Sequence, residues 1–170
     1  DQQGIQSSYN DDYRYDNCED AVCTSIELPN YKMFYKLRQD APEMDWAVLR
    51  LDANILCDFN CAFCWTNAGD ATMYSEPIEK RMGKKAFLEL FGNKPEYPQR
   101  ESLNIKDWYP TNPQAEVLVF GIIPIKYIQN VYFEKNDELQ EYQKFIPKEI
   151  SASVMTKVFA PREDWKAWQS

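Results

Sequence analysis

Two groups of residues in this chain carry side chains at spacings that suit chemistry. The first is Cys57-x3-Cys61-x2-Cys64, with Phe63 just before the last cysteine. Three thiolates at such spacing can bind three irons of a [4Fe–4S] cluster or contribute to a zinc site. The second is Gln114-Ala115-Glu116, which opens the apolar run EVLVFG. A lone carboxylate on a rigid strand end, next to a long loop, suits stabilisation of a developing positive charge or polarisation of a hydroxyl. Each group also has an ordinary structural reading. Free cysteine packs as a small apolar residue, and acids at strand ends are commonly solvated. The chain contains no histidine, so the commonest general base and metal ligand is missing.

The elements that must position these groups can be read from pattern. AVCTSIEL (21–28) has the β-branched content of a strand closed by Pro29. Asn30 is placed to cap a helix over NYKMFYKLRQ, with Met33, Phe34 and Leu37 at helical spacing. DWAVLRLD (45–52) alternates as a half-buried strand, ANIL suits one helical turn, and TNAGDAT suits a turn. KKAFLELF (84–91) predicts an amphipathic helix between Gly83 and Gly92. Residues 93–115 form a long proline-rich loop, a feature that in a compact domain is usually functional or disordered. EVLVFG (116–121) and NVYFEK (130–135) read as strands, DELQEYQKFI (137–146) as a helix, SVMTKVF (153–159) as a strand and PREDWKAW (161–168) as a short terminal helix. The mixed order, without clean β-α-β alternation, predicts an α+β fold in one domain.

Composition narrows the function classes. The 170 residues are 44% hydrophobic and 15% aromatic, enough for a folded core and too apolar for disorder. Only 5 glycines are present, and no GxGxxG or GxxxxGK[ST] phosphate cradle occurs. The net charge of −8 disfavours non-specific nucleic-acid binding, so any DNA contact needs a local basic patch. Lys32, Lys36 and Arg38 form one candidate, and Lys80, Arg81, Lys84 and Lys85 another; both also read as solvated helix faces. No run approaches the ~20 apolar residues of a membrane helix. The first residues, DQQGIQSSYN, are polar and unlike a signal peptide. The odd count of five cysteines suits reduced thiols in a cytoplasm. The cysteine triad has the spacing found in radical SAM enzymes, but about 110 residues follow it. A barrel of that general kind needs roughly 200 or more.

One resemblance covers nearly the whole chain. The stretches GIQS, NDDYRYDN, SIELPNYKMFYKLR, DWAVLRLDANIL, CAFCWTNAGDA and YPTNPQAEVLVFGIIPIKYI resemble the DarT family of DNA ADP-ribosyltransferases. Q-x-E at a strand start is also a signature of the wider ADP-ribosyltransferase superfamily. The resemblance implies a mixed α+β fold with a split central β-sheet and flanking helices. It implies a single domain over 1–170 that lacks the family's first strand, with its His-Thr-type NAD motif, and the helix after it. NAD is the implied co-substrate, with no metal, and a base of single-stranded DNA the implied acceptor. A macrodomain antitoxin that reverses the modification is the implied partner, in a toxin or phage-defence setting.

By position in the family's motifs, Glu116 is the catalytic glutamate and Arg14 the arginine that contacts NAD. Arg38, Met33 and Tyr35 lie where NAD-side residues are expected, with Met33 toward the substrate. Gln114, Asn67 and Tyr109 fall on the substrate side, and loop 93–115 is the implied substrate loop. Tyr35, Trp65 and Tyr109 are candidates to stack on an unpaired base. An iron–sulfur or zinc protein, and a catalytically inactive binding module of the same fold, stay open as alternatives on the sequence alone.

Overall fold

The computed structural model describes residues 18–169. Among the described residues, six short strands form two three-stranded sheets. β1 (Ala21–Thr24), β4 (Glu116–Phe120) and β3 (Cys61–Cys64) make the first, in the order β1-β4-β3, with both pairings antiparallel. β2 (Ala47–Leu51), β5 (Ile128–Phe133) and β6 (Ser151–Val154) make the second, in the order β2-β5-β6. Here β2 runs antiparallel to β5, and β6 runs parallel to it. The parallel pair requires a crossover, supplied by α6 (Asn136–Tyr142).

β4 is the centre of the first sheet, and its alternation divides the core. Val117 and Val119 face one side, with Cys61, Phe63 and Ile55, against Ala86 and Leu90 of the α4 (Gly83–Glu89) segment. Glu116 and Leu118 face the other side, where Ala62, Cys64, Ala68, Met73 and Cys18 lie. The second sheet has its own small core, in which Phe34 of α1 (Tyr31–Asp40) meets Trp46 edge-on at 5.7 Å and Phe159 at 5.6 Å. Two short helical turns, α2 (Ile55–Asp58) and α3 (Ala71–Tyr74), precede and follow β3.

Several expected boundaries move, each for a local reason. The strand expected over 21–28 ends at Thr24, because Glu27 turns the chain with a φ of 65° and Leu28 N–H bonds back to the Ile26 carbonyl at 2.8 Å. The strand expected over 153–159 is β6 at 151–154. After Met155 the chain tightens into a 3-10 turn over Thr156–Phe159, which buries Val158 and Phe159. The expected helix 137–146 divides into α6 and a 3-10 turn at Gln143–Phe145. Loop 93–115 contains the short α5 (Arg100–Leu103), ended by Asn104 in the left-handed region.

Candidate active site

Glu116 is the first residue of β4 and is only 4% exposed. Burying a carboxylate costs several kcal/mol unless donors replace its water. Among the described residues, three N–H donors from two separate segments contribute to this. The Ala68 backbone N–H donates to Oε2 at 2.8 Å. Asn67 Nδ2 donates to Oε1 at 3.1 Å and Asn30 Nδ2 to the same oxygen at 3.4 Å.

Each donor is itself fixed. Asn67 Oδ1 accepts from Gly69 N–H at 2.9 Å, and Asp70 then caps α3 through Thr72 N–H. Asn30 is the N-cap of α1; its Oδ1 accepts from Met33 N–H at 3.3 Å, which aims Nδ2 at Glu116. One buried asparagine therefore starts the helix and orients the acid. Asn30 was legible in the sequence as a cap, and its second role was not.

The loop that delivers Glu116 is held by two arginines. Arg100 donates to the carbonyls of Tyr109, Asp107 and Lys106 at 2.7, 2.8 and 3.0 Å, and to the Thr111 hydroxyl at 3.2 Å. Arg162, buried near the C-terminus, donates to the carbonyls of Pro110 and Thr111 at 2.6 and 2.7 Å. It also grips both oxygens of buried Asp164 at 2.6 Å, and Trp168 Nε1 donates to the same carboxylate at 2.9 Å. Asn112 then forms a tight turn, with Oδ1 accepting from Gln114 N–H at 2.8 Å and its carbonyl from Ala115 N–H at 3.1 Å. Residues 109–113 are buried throughout. The end of the expected substrate loop is thus a stapled support for Glu116. Its exposed part lies earlier, at Trp108, which is 55% exposed.

The remaining sequence candidates divide. Asn67 lies against Glu116. Gln114 is half-buried two residues before it, with its backbone N–H in the Asn112 turn. Met33 stands one helical turn from Asn30 and is 44% exposed, and Tyr35 further along α1 is 61% exposed. Tyr109 is 7% exposed, its hydroxyl taken by Lys157 Nζ at 3.3 Å and its carbonyl by Arg100, so it supports the loop. Trp65 is half-buried, edge-on to Tyr97 at 5.6 Å and under Lys94 Nζ at 4.7 Å. Arg38 pairs with Glu134, donates to the Phe159 carbonyl at 3.0 Å and lies over the Phe34 and Phe159 rings. It stands eight residues along α1 from Asn30, about 12 Å on the helix rise. Arg14 lies outside the described residues.

The cysteine triad does not converge. Cys61 sits with Phe63 on one face of β3 and Cys64 with Ala62 on the other, while Cys57 is exposed on α2. Burial pushes the Cys64 thiol up to about 11, against the lowering effect of Arg81, and burial also raises Cys61, with Cys57 adding to the rise. Both therefore stay protonated near neutral pH in the metal-free chain, as thiols packed in apolar surroundings do. In the second basic cluster Lys80, Lys84 and Lys85 are exposed, as a solvated face requires, and Arg81 alone of the four is buried.

Two three-stranded sheets with flanking helices, and a caged acid at the first position of a central strand, make a mixed α+β fold built around one candidate acid. A family model described as "ssDNA thymidine ADP-ribosyltransferase, DarT" matches residues 27–165, and the chain belongs to that family. Among solved structures, Thermosipho africanus DarTG in complex with ADP-ribose is 18% identical, with a TM-score of 0.56 over 82% of this chain. The match spans 36% of that longer chain. Thermus sp. 2.9 DarT in complex with NAD+ is 13% identical, with a TM-score of 0.49 over 84% of this chain and 74% of that one. The same Thermus protein in complex with ADP-ribosylated ssDNA is also 13% identical, with a TM-score of 0.47 over 83% and 69%. No curated protein matches the sequence. No helix among the described residues is long and apolar enough to cross a membrane.

Proposed function

We propose that this chain transfers ADP-ribose from NAD to a base of single-stranded DNA and releases nicotinamide, with Glu116 as its catalytic carboxylate. The observation that carries the reading is the cage around Glu116 in a chain of this family. NAD supplies a glycosidic bond whose cleavage leaves positive charge on the ribose carbon. A carboxylate fixed in place before reaction stabilises such charge more than it stabilises the bound substrate. Oε2 is held by the shortest bond in the cage, so Oε1, with its longer bonds, is the oxygen that would meet a ribose hydroxyl. Asn67, which shares that oxygen, is assigned to the acceptor side. The acceptor base must be unstacked for its nitrogen to reach the ribose. Its displaced proton passes to Glu116 or to water.

Arg14, Met33 and Tyr35 are proposed NAD contacts, and Gln114 a substrate contact. Arg38 is assigned to the edge of the site, because its guanidinium already holds Glu134 and Phe159. The chain is read as one domain acting in the cytoplasm. Its partner would be a macrodomain that reverses the modification, in a toxin or phage-defence system.

The test is incubation with labelled NAD and short oligonucleotides of varied sequence. Transfer of label to DNA by the wild type, and none by Glu116→Gln at unchanged Tm, is the expected result. Glu116→Gln with full transfer would overturn the assignment. NAD binding without transfer by the wild type would instead favour an inactive binding module.

A further inference from the structure

The segment 66–82 begins at the Glu116 cage and ends at a second feature that the proposed chemistry does not use. Asn67 and Ala68 bind the acid. Further along, Tyr74, Glu76 and Arg81 line an open pocket of about 420 Å³, together with Asp20 and Phe120. The volume is in the range of small-molecule sites. Arg81 adjoins the catalytic region, because its Nη1 meets Cys64 Sγ at 3.7 Å and Cys64 is the cross-strand neighbour of Glu116.

Arg81 is the unusual residue. It is 4% exposed, and its Nε has no hydrogen-bond partner. No carboxylate of a described residue lies within ion-pair distance of it. A sulfur is a weak acceptor for a guanidinium, and a buried charge held so poorly is costly. The pocket beside it therefore wants a ligand with acceptor atoms. Asp20 and Glu76 at the rim want donors and would repel a phosphate. Tyr74 and Phe120 offer ring surface for a flat ligand.

We infer that this pocket receives an unstacked nucleobase with guanine-type edges, beside the base that is modified. Guanine presents O6 and N7, the acceptor pair that arginine reads. Its remaining edge carries N–H donors that carboxylates accept. The pocket would then set sequence preference by holding a neighbouring base of the same strand. Identification of that base as part of the DNA substrate rests on the function proposed above; base binding itself does not.

The test is titration of the full chain with dGMP, dAMP, dCMP, TMP and inorganic phosphate, followed by calorimetry or NMR. Tighter binding of dGMP by at least tenfold is expected. Arg81→Gln and Asp20→Asn should each weaken it by at least tenfold, and Glu116→Gln should leave it unchanged. If Arg81→Gln fails to fold, Tyr74→Ala at the exposed rim is read instead, with a severalfold loss expected. Equal binding of all four nucleotides, no saturable binding, or phosphate competing as well as dGMP would overturn the inference. Failure of DNA modification by the wild type, with dGMP binding intact, would sink the proposed function and leave the pocket assignment standing.

Discussion

Removing the Arg162 side chain should disarm the site from a distance. Arg162→Met keeps much of the volume but deletes the donors to Pro110, Thr111 and Asp164. It leaves the Asp164 side chain, 1% exposed, with Trp168 Nε1 as its remaining partner among the hydrogen bonds described above. Breaking a buried ion pair from one side costs about 3–5 kcal/mol. For a chain of this size each kcal/mol lowers Tm by roughly 2–4 °C, so a fall on the order of 10 °C is expected. Denaturant unfolding gives the free energy, and hydrogen exchange at Thr111, Gln114 and Ala115 reports the loop directly. Arg162→Met with Asp164→Asn should recover part of the stability by removing the orphaned charge, while leaving the loop amides fast-exchanging. A single variant within about 0.5 kcal/mol of wild type, or strictly additive effects in the double variant, would refute the clamp.

The other expectations are shorter. Glu116→Gln should reduce transfer at least ~10²-fold with Tm unchanged, checked by labelled NAD and circular dichroism. Asn30→Ala should cost about 1 kcal/mol as a lost helix cap and also slow transfer, whereas Asn30→Asp should restore the cap and still impair transfer by facing Glu116 with a second acid. The raised Cys64 pKa makes an alkaline limb. The thiol's contribution is complete below pH 9 and falls as pH rises through about 11, because the unfolded chain releases its proton first. The loss is up to roughly 3 kcal/mol, and Cys64→Ala should flatten that limb in urea titrations at pH 8 to 11. Joint replacement of Cys57, Cys61 and Cys64 by alanine should leave transfer in place; stoichiometric iron or zinc in purified protein would contradict the non-converging triad.

What could be read from the sequence followed from local pattern. β4 was legible because five apolar-rich residues begin abruptly after a proline-rich loop, and Glu116 was legible because it opens them. The cap at Asn30 and the helix α1 were read from adjacent residues, and Tyr31–Asp40 is what formed. The arginines were not legible. In a polar stretch an arginine reads as surface, and Arg162 becomes interior only when carbonyls more than fifty residues earlier reach it. Arg81 was grouped with Lys80, Lys84 and Lys85 by proximity in sequence, yet it turns inward to Cys64 while the lysines stay exposed. Tyr109 reads in the sequence as an aromatic on the long proline-rich loop. The loop's end is rigid, so the neighbouring Trp108 is the aromatic left at the surface.

The burial of Glu116 bears on how the acid would act in the proposed reaction. An acid open to water would have its charge screened, and water would compete for the ribose cation. Inside a low-dielectric cage the same charge acts more strongly on a neighbouring positive centre. The donors that hold it already point at the carboxylate, so little reorganisation is needed as charge develops. The cage is uneven in a useful way. The backbone donor fixes Oε2 at 2.8 Å, while Oε1 has two side-chain amides at 3.1 and 3.4 Å. A hydroxyl can replace the longer amide bond without freeing the carboxylate. Asn30 gives up that contact and still caps α1 through Oδ1. In the proposed reaction the site would thus open at one oxygen without breaking the α1 cap or the Ala68 bond.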